Sequence, residues 1–159
     1  MKTRVALPSD FSAVTELTRR AYQHYIPILG GEPWPMLVDY APRIAAGEVW
    51  LLEGAGEPIA LIALEDHGDH LHIFSVAVLP EHQSKGIGQQ LLAFAEAKAR
   101  EMDRPALTLC TNEKMERNIG IYQRFGFTET QRRSNPNRTG WTLVDMEKTL
   151  GTAENRRSA

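Results

Sequence analysis

The stretch Val76-Ala77-Val78-Leu79-Pro80-Glu81-His82-Gln83-Ser84-Lys85-Gly86-Ile87-Gly88 constrains the fold more than any other part of this chain. An apolar, β-branched run reads as a strand, Pro80 stops it, and Gln83-x-x-Gly86-x-Gly88 leads directly into a helical pattern from Gln89 to Met102. Two glycines one residue apart let the backbone come close to a ligand. The first turn of the following helix offers unpaired N–H groups at the positive end of its dipole. The unit is therefore a strand, loop and helix suited to holding phosphate. It is not an ATP-type P-loop, because Lys85 precedes Gly86 and Gly88 is followed by Gln89-Gln90 rather than by Lys-Ser or Lys-Thr. It is not a dinucleotide fingerprint either, since the third glycine position is Leu91.

A second pattern lies downstream. Asn118-Ile119-Gly120-Ile121-Tyr122-Gln123-Arg124-Phe125-Gly126-Phe127 predicts a short helix closed by Gly126 in a left-handed cap, with Phe127 opening a strand. Asn118 and Tyr122 are four apart, so both project from one helix face. Alone, this pattern reads as a core aromatic at Tyr122 and a helix-surface amide at Asn118. The glycine loop upstream is what turns it toward ligand binding.

Together, Gln83-x-x-Gly86-x-Gly88 after a strand and the helix ending Tyr122-x-x-x-Gly126-Phe127 resemble the two coenzyme A segments of the GCN5-related N-acetyltransferase (GNAT) family. The resemblance implies acetyl-coenzyme A as cosubstrate and no metal. Backbone groups of Val76, Ala77 and Val78 would pair with the pantetheine arm, and amides of Gln83, Ser84, Lys85, Gly86, Ile87, Gly88 and Gln89 would hold the pyrophosphate. It also implies a coenzyme contact at Asn118 and, at Tyr122, both a coenzyme contact and the general acid for the departing thiolate. Many members carry an asparagine seven residues before that tyrosine, where this chain has Met115.

In histone-type members a glutamate base stands eleven residues before the motif glutamine, a position that His72 fills here. An imidazole, with an ordinary pKa of about 6.5, can do the same work. Other members rely on ordered water. His67, His70 and His72 cluster with Glu65, Asp66 and Asp69, yet no third ligand shows the spacing of a zinc site. Cys110, the single cysteine, reads as a small core residue. The Gly/Pro-rich loop from Pro27 to Met36 corresponds to one wall of the family's acceptor pocket, so Trp34, Met36 and Tyr22 either line that pocket or close the core.

The element order expected is β-α-α-β-β-β-α-β-α-β-β, a mixed α/β layer fold with a central, mostly antiparallel sheet. Strands fall near 3–7, 48–53, 58–65, 70–79, 106–110, 127–133 and 140–147, with helices near 10–25, 85–102 and 114–125 and an irregular helical stretch near 35–46. The first helix, after a Ser9-Asp10 start signal, is expected to bury Phe11, Val14, Leu17, Ala21 and Tyr25. The helix after the glycine loop is expected to bury Ile87, Leu91, Phe94, Ala95, Ala99 and Met102. At 159 residues the chain suits one N-acetyltransferase domain over residues 1–150, followed by a polar, frayed tail from Gly151 to Ala159.

A net charge of −2 without a basic run gives no footprint for nucleic acid. No stretch has the apolar length of a membrane span, and Met1-Lys2-Thr3-Arg4 enters a strand rather than a signal-peptide core, so the expectation is a cytoplasmic monomer or homodimer. The expected function is acetyl transfer to a primary amine of a small molecule or peptide, by direct attack in a ternary complex. The alternative is a non-catalytic acyl-coenzyme A sensor of the same fold.

Overall fold

Residues 57–66 show how the sheet is built, because Ile59-Ala60-Leu61-Ile62-Ala63-Leu64 is apolar without alternation and is buried on both faces. In the computed structural model, which describes residues 2–151, this is the third of seven strands: β1 Lys2–Val5, β2 Val49–Gly54, β3 Glu57–Asp66, β4 Leu71–Val78, β5 Ala106–Asn112, β6 Thr128–Ser134 and β7 Thr142–Thr149. Their order in the sheet is β1-β2-β3-β4-β5-β7-β6. β4 and β5 pair parallel, while β1 with β2, β2 with β3, β5 with β7 and β6 with β7 pair antiparallel. Helices α1 Phe11–Tyr22, α2 Ile26–Leu29, α3 Ala41–Ala45, α4 Ile87–Glu101 and α5 Glu116–Phe125 occupy the connections. The fold is mixed α/β with a mostly antiparallel sheet, as expected. Residues 152–159, the greater part of the expected tail, lie outside the described residues.

The chain divides into two compact units, and β4 and α4 run from one into the other. The first comprises residues 1–64 and 74–91. Its core gathers Val14, Leu17 and Ala21 of α1, Leu51 and Leu52 of β2, and Leu61 and Ile62 of β3. Tyr40 is fully buried, and its hydroxyl meets the Ser75 hydroxyl at 3.1 Å. Phe11 departs from expectation: it is 40% exposed at the first position of α1, where a side chain lies beyond the buried stripe. Asp10 does not cap α1 through its side chain. Its carboxylate turns back to the Leu7 N–H at 2.7 Å and pairs with Arg4 at 2.8 Å.

The second unit comprises residues 65–73 and 92–159. Leu92, Ala95 and Ala99 of α4 are buried, as are Leu107 and Leu109 of β5, Val144 and Met146 of β7, and Phe127. Leu92 was not among the positions expected inside, while Phe94 is half-buried beneath Lys98 and Met102 lies exposed just past the helix end. α5 ends as its sequence predicts: Gly126 is left-handed at φ 111°, and its N–H bonds back to the Gln123 carbonyl at 3.0 Å.

Candidate active site

Two properties of β4 prepare one side of it for a ligand. Among the described residues, β4 pairs with β5 over Leu71, His72 and Ile73, and the strand continues to Val78. The register of the β3–β4 hairpin also shifts. Its turn is closed by the His67 N–H on the His70 carbonyl, and its far end by the Leu79 N–H on the Ile59 carbonyl. Between those bonds the β3 side counts nine residues, 59 to 67, and the β4 side ten, 70 to 79. One extra residue in β4 is a bulge, and a bulge re-aims the backbone groups that follow it. Accordingly the carbonyls of Val76 and Val78 are met by side chains and not by a strand: the Tyr22 hydroxyl donates to Val76 O at 2.6 Å, and Gln83 Nε2 donates to Val78 O at 3.0 Å.

The loop that follows is an open backbone cradle. After a single 3-10 turn over Pro80–His82, Gln83 is extended and Ser84 and Gly86 have φ of 62° and 80°. α4 then starts at Ile87, and its first intrahelical bond from this loop is the Gln90 N–H on the Gly86 carbonyl, at 3.0 Å. The amides of Ile87, Gly88 and Gln89 therefore belong to the first turn, where N–H groups have no carbonyl four residues back. A Cβ added at Gly88 would have no atom within 4 Å. Nothing in the fold requires glycine there. Glu81, an anion at the edge of the cradle, is tied up by Arg20 through two contacts of 2.9 Å. Ser84, Lys85 and Gly86 are exposed.

The second pattern places Asn118 and Tyr122 half-buried on one face of α5. The Tyr122 ring packs edge-to-face on Phe127 at 6.1 Å, and this packing helps to fix the ring. Met115, at the position of the family's asparagine, is buried and its sulfur accepts from the Thr111 hydroxyl at 3.6 Å. It is a core residue.

His72 lies on a groove of about 550 Å³ whose wall includes Asp69, His70, Thr108, Thr130, Asp145 and Glu147. A ring nitrogen, Nδ1, lies 2.7 Å from the Thr108 hydroxyl on the facing residue of β5. Burial, first of all, lowers the His72 pKa below 6.5; His67 and His70 push the same way, and Glu65 and Asp145 oppose. The imidazole is thereby neutral at neutral pH and able to accept a proton. His67 stacks on His70 at 4.8 Å and meets His72 edge-on at 5.8 Å. Among the described residues no three His, Cys, Asp or Glu come together to hold a metal.

Cys110 is half-buried rather than buried. Its thiol is pushed up to about 11, by burial foremost and by Asp145, so it stays protonated and is no nucleophile at neutral pH. Trp34 is 58% exposed and does not close the core; Met36 is half-buried. Tyr22 is buried, with its hydroxyl on β4. Sequence reasoning missed the Gln83 side-chain tether, the Arg20–Glu81 pair, and Thr108 and Asp145 beside His72. The Arg20–Glu81 and His72–Thr108 contacts join residues distant in the chain, while the Gln83 tether spans only five residues but depends on how the loop turns back on β4.

Residues 11–127 match the acetyltransferase (GNAT) family. The chain belongs to the GNAT family. Solved structures show the same fold at low identity. The ribosomal-protein-S18-alanine N-acetyltransferase of Escherichia coli superposes with a TM-score of 0.75 at 19% identity, over 96% of this chain and 95% of that one. The PaiA N-acetyltransferase of Thermoplasma acidophilum, in complex with coenzyme A, reaches 0.80 at 15% identity, over 93% and 98%. YncA of Salmonella typhimurium, solved with its cofactor acetyl-coenzyme A, reaches 0.72 at 23% identity, over 94% and 94%.

Proposed function

We propose that this GNAT protein transfers the acetyl group of acetyl-coenzyme A to a primary amine of a small molecule or peptide, by direct attack. The observation that carries the reading is the cradle from Gln83 to Gln89, tied to the end of β4 by the Gln83 side chain on the Val78 carbonyl. Acetyl-coenzyme A matches both: an anionic pyrophosphate for the first-turn amides and an amide-bearing arm for the strand. Similarity to structures holding coenzyme A or acetyl-coenzyme A supports it.

The cosubstrate supplies an acyl carbon open to attack and a thiolate that must be protonated as it leaves. The chain's residues then divide the work. Neutral His72 accepts the proton that frees the amine lone pair, and nitrogen bonds to the acyl carbon as the carbon–sulfur bond breaks. Tyr122 donates its phenol proton to the departing sulfur. Asn118 contacts the coenzyme, and Trp34 and Met36 line the acceptor wall, where the exposed indole offers apolar area.

A panel of amines, amino acids and N-terminal peptides tests this by thiol release, with acetylated product identified by mass spectrometry. Release that depends on an amine is expected. Binding of acetyl-coenzyme A without release for any acceptor would instead make the protein a sensor of its ligand.

A further inference from the structure

We infer that Thr108 is a positioning residue that holds His72 in the tautomer with its proton on Nδ1, leaving Nε2 as the nitrogen that takes the acceptor's proton. The inference rests on the reading of His72 as the base and adds a residue outside both sequence patterns. Sheet register fixes the pair. His72 of β4 lies opposite Thr108 of β5, and Glu147 of β7 lies opposite Thr108 on its other side, so the three form one row across the sheet. Residues in register share a face of the sheet, and all three line the groove described above. His72 Nδ1 and the Thr108 hydroxyl stand 2.7 Å apart, both residues being half-buried.

A hydroxyl can donate or accept, but a base has one arrangement that survives its own protonation. In the imidazolium both ring nitrogens carry hydrogen, so Nδ1 can only donate to Thr108. If Thr108 already accepts from Nδ1–H in the neutral ring, the bond persists through proton uptake and the lone pair is on Nε2. If Thr108 donated instead, the ring's lone pair would be spent on it and Nε2 would carry the proton. Glu147, across the row, offers a carboxylate for the hydroxyl's own proton, and that orientation turns the oxygen lone pairs of Thr108 to Nδ1. The titratable groups acting on the ring are Glu65, His67 and His70 of the β3–β4 hairpin and Asp145 of β7, with Asp69 and Glu147 also on the groove wall. Thr108 has no charge, so removing its hydroxyl leaves that setting in place and isolates the bond. A bond accepted from Nδ1–H is stronger in the charged ring, so Thr108 opposes the burial that lowers the His72 pKa.

The test compares Thr108→Val, which deletes the hydroxyl and keeps the β-branched shape a strand favours, with Thr108→Ser, which keeps the hydroxyl. Each is read by 15N NMR of the histidine rings at a pH above the limb, with His72 assigned by the signals lost in His72→Ala. Each is also read by the pH profile of kcat/KM with one acceptor. The wild type and Thr108→Ser should show Nδ1 protonated and Nε2 bare. Thr108→Val should move the proton toward Nε2, the ordinary preference of a free imidazole. It should also lower the plateau of kcat/KM about tenfold, the scale of one net hydrogen bond, and shift the limb further to acid. A wild-type ring protonated on Nε2 would overturn the role of Thr108, and that spectrum decides even if the valine variant folds poorly. So would a folded Thr108→Val enzyme with the tautomer and profile of the wild type. A limb that survives His72→Ala would overturn the reading of His72 as the base itself.

Discussion

Alanine at two glycines should have opposite effects, because one glycine serves the fold and the other the ligand. Gly126 has φ 111°, and a Cβ built on it would stand 3.1 Å from Lys148 Cε. That lysine cannot easily swing away, since its ammonium is held by Glu96 at 2.7 Å and by the Phe125 carbonyl at 2.9 Å. Strain at this backbone geometry costs about 1–3 kcal/mol, and loosening a partly exposed ion pair adds up to about 1. Gly126→Ala should therefore lose about 2–3 kcal/mol, or roughly 4–12 °C in Tm for a chain of this size. Gly88 is the second residue of α4, and a methyl group there would meet no atom within 4 Å, so Gly88→Ala should gain up to about 0.5 kcal/mol, less than at a helix interior. Urea unfolding followed by circular dichroism measures both. A Gly126→Ala variant within about 0.5 kcal/mol of wild type, or a destabilised Gly88→Ala, would refute the division of roles.

Two further outcomes concern the chemistry. Tyr122→Phe keeps the ring against Phe127 and should lower kcat by about 10²–10⁴-fold, with far less effect on coenzyme affinity, whereas Asn118→Ala should mainly raise KM for acetyl-coenzyme A; equal losses of kcat and affinity in Tyr122→Phe would make it a packing residue. Because burial lowers the His72 pKa, kcat/KM should rise with pH through a limb centred below 6.5 and level off by neutral pH. His72→Ala, assayed with the same acceptor, should abolish that limb, and coincident profiles would make His72 structural. The linkage sign agrees: the unfolded chain takes up this proton more readily than the folded one, so His72 withdraws stability as pH falls below 6.5.

What could be read in the sequence was what local chemistry decides. Pro80 ends β4, whose apolar, β-branched run marks it as a strand, and Gly126 caps α5; each of these involves neighbours within a few residues. α2 was not foreseen: Pro27 at its start and left-handed Gly30 at its end confine it to a single turn, too short for a period to show. Phe11 and Met102 fit their helical stripes but sit at helix ends, where the stripe runs out over solvent. The site divides the same way. The loop before α4 and the helix bearing Tyr122 were legible as local structure, but Tyr22 meets Val76 across 54 positions of chain, Arg20 meets Glu81 across 61 and His72 meets Thr108 across 36. Pairings of that kind follow from the sheet order and the β4 bulge, which no short window contains.

Titration calorimetry of acetyl-coenzyme A into the wild type and Gly88→Glu tests the central claim most directly. Space around Gly88 lets the glutamate side chain be built without a clash, so the variant should fold, while its carboxylate would occupy the cradle with a charge like that of pyrophosphate. The account predicts saturable binding to the wild type and none to the variant at an unchanged circular dichroism spectrum. Undiminished affinity in the folded variant would contradict it.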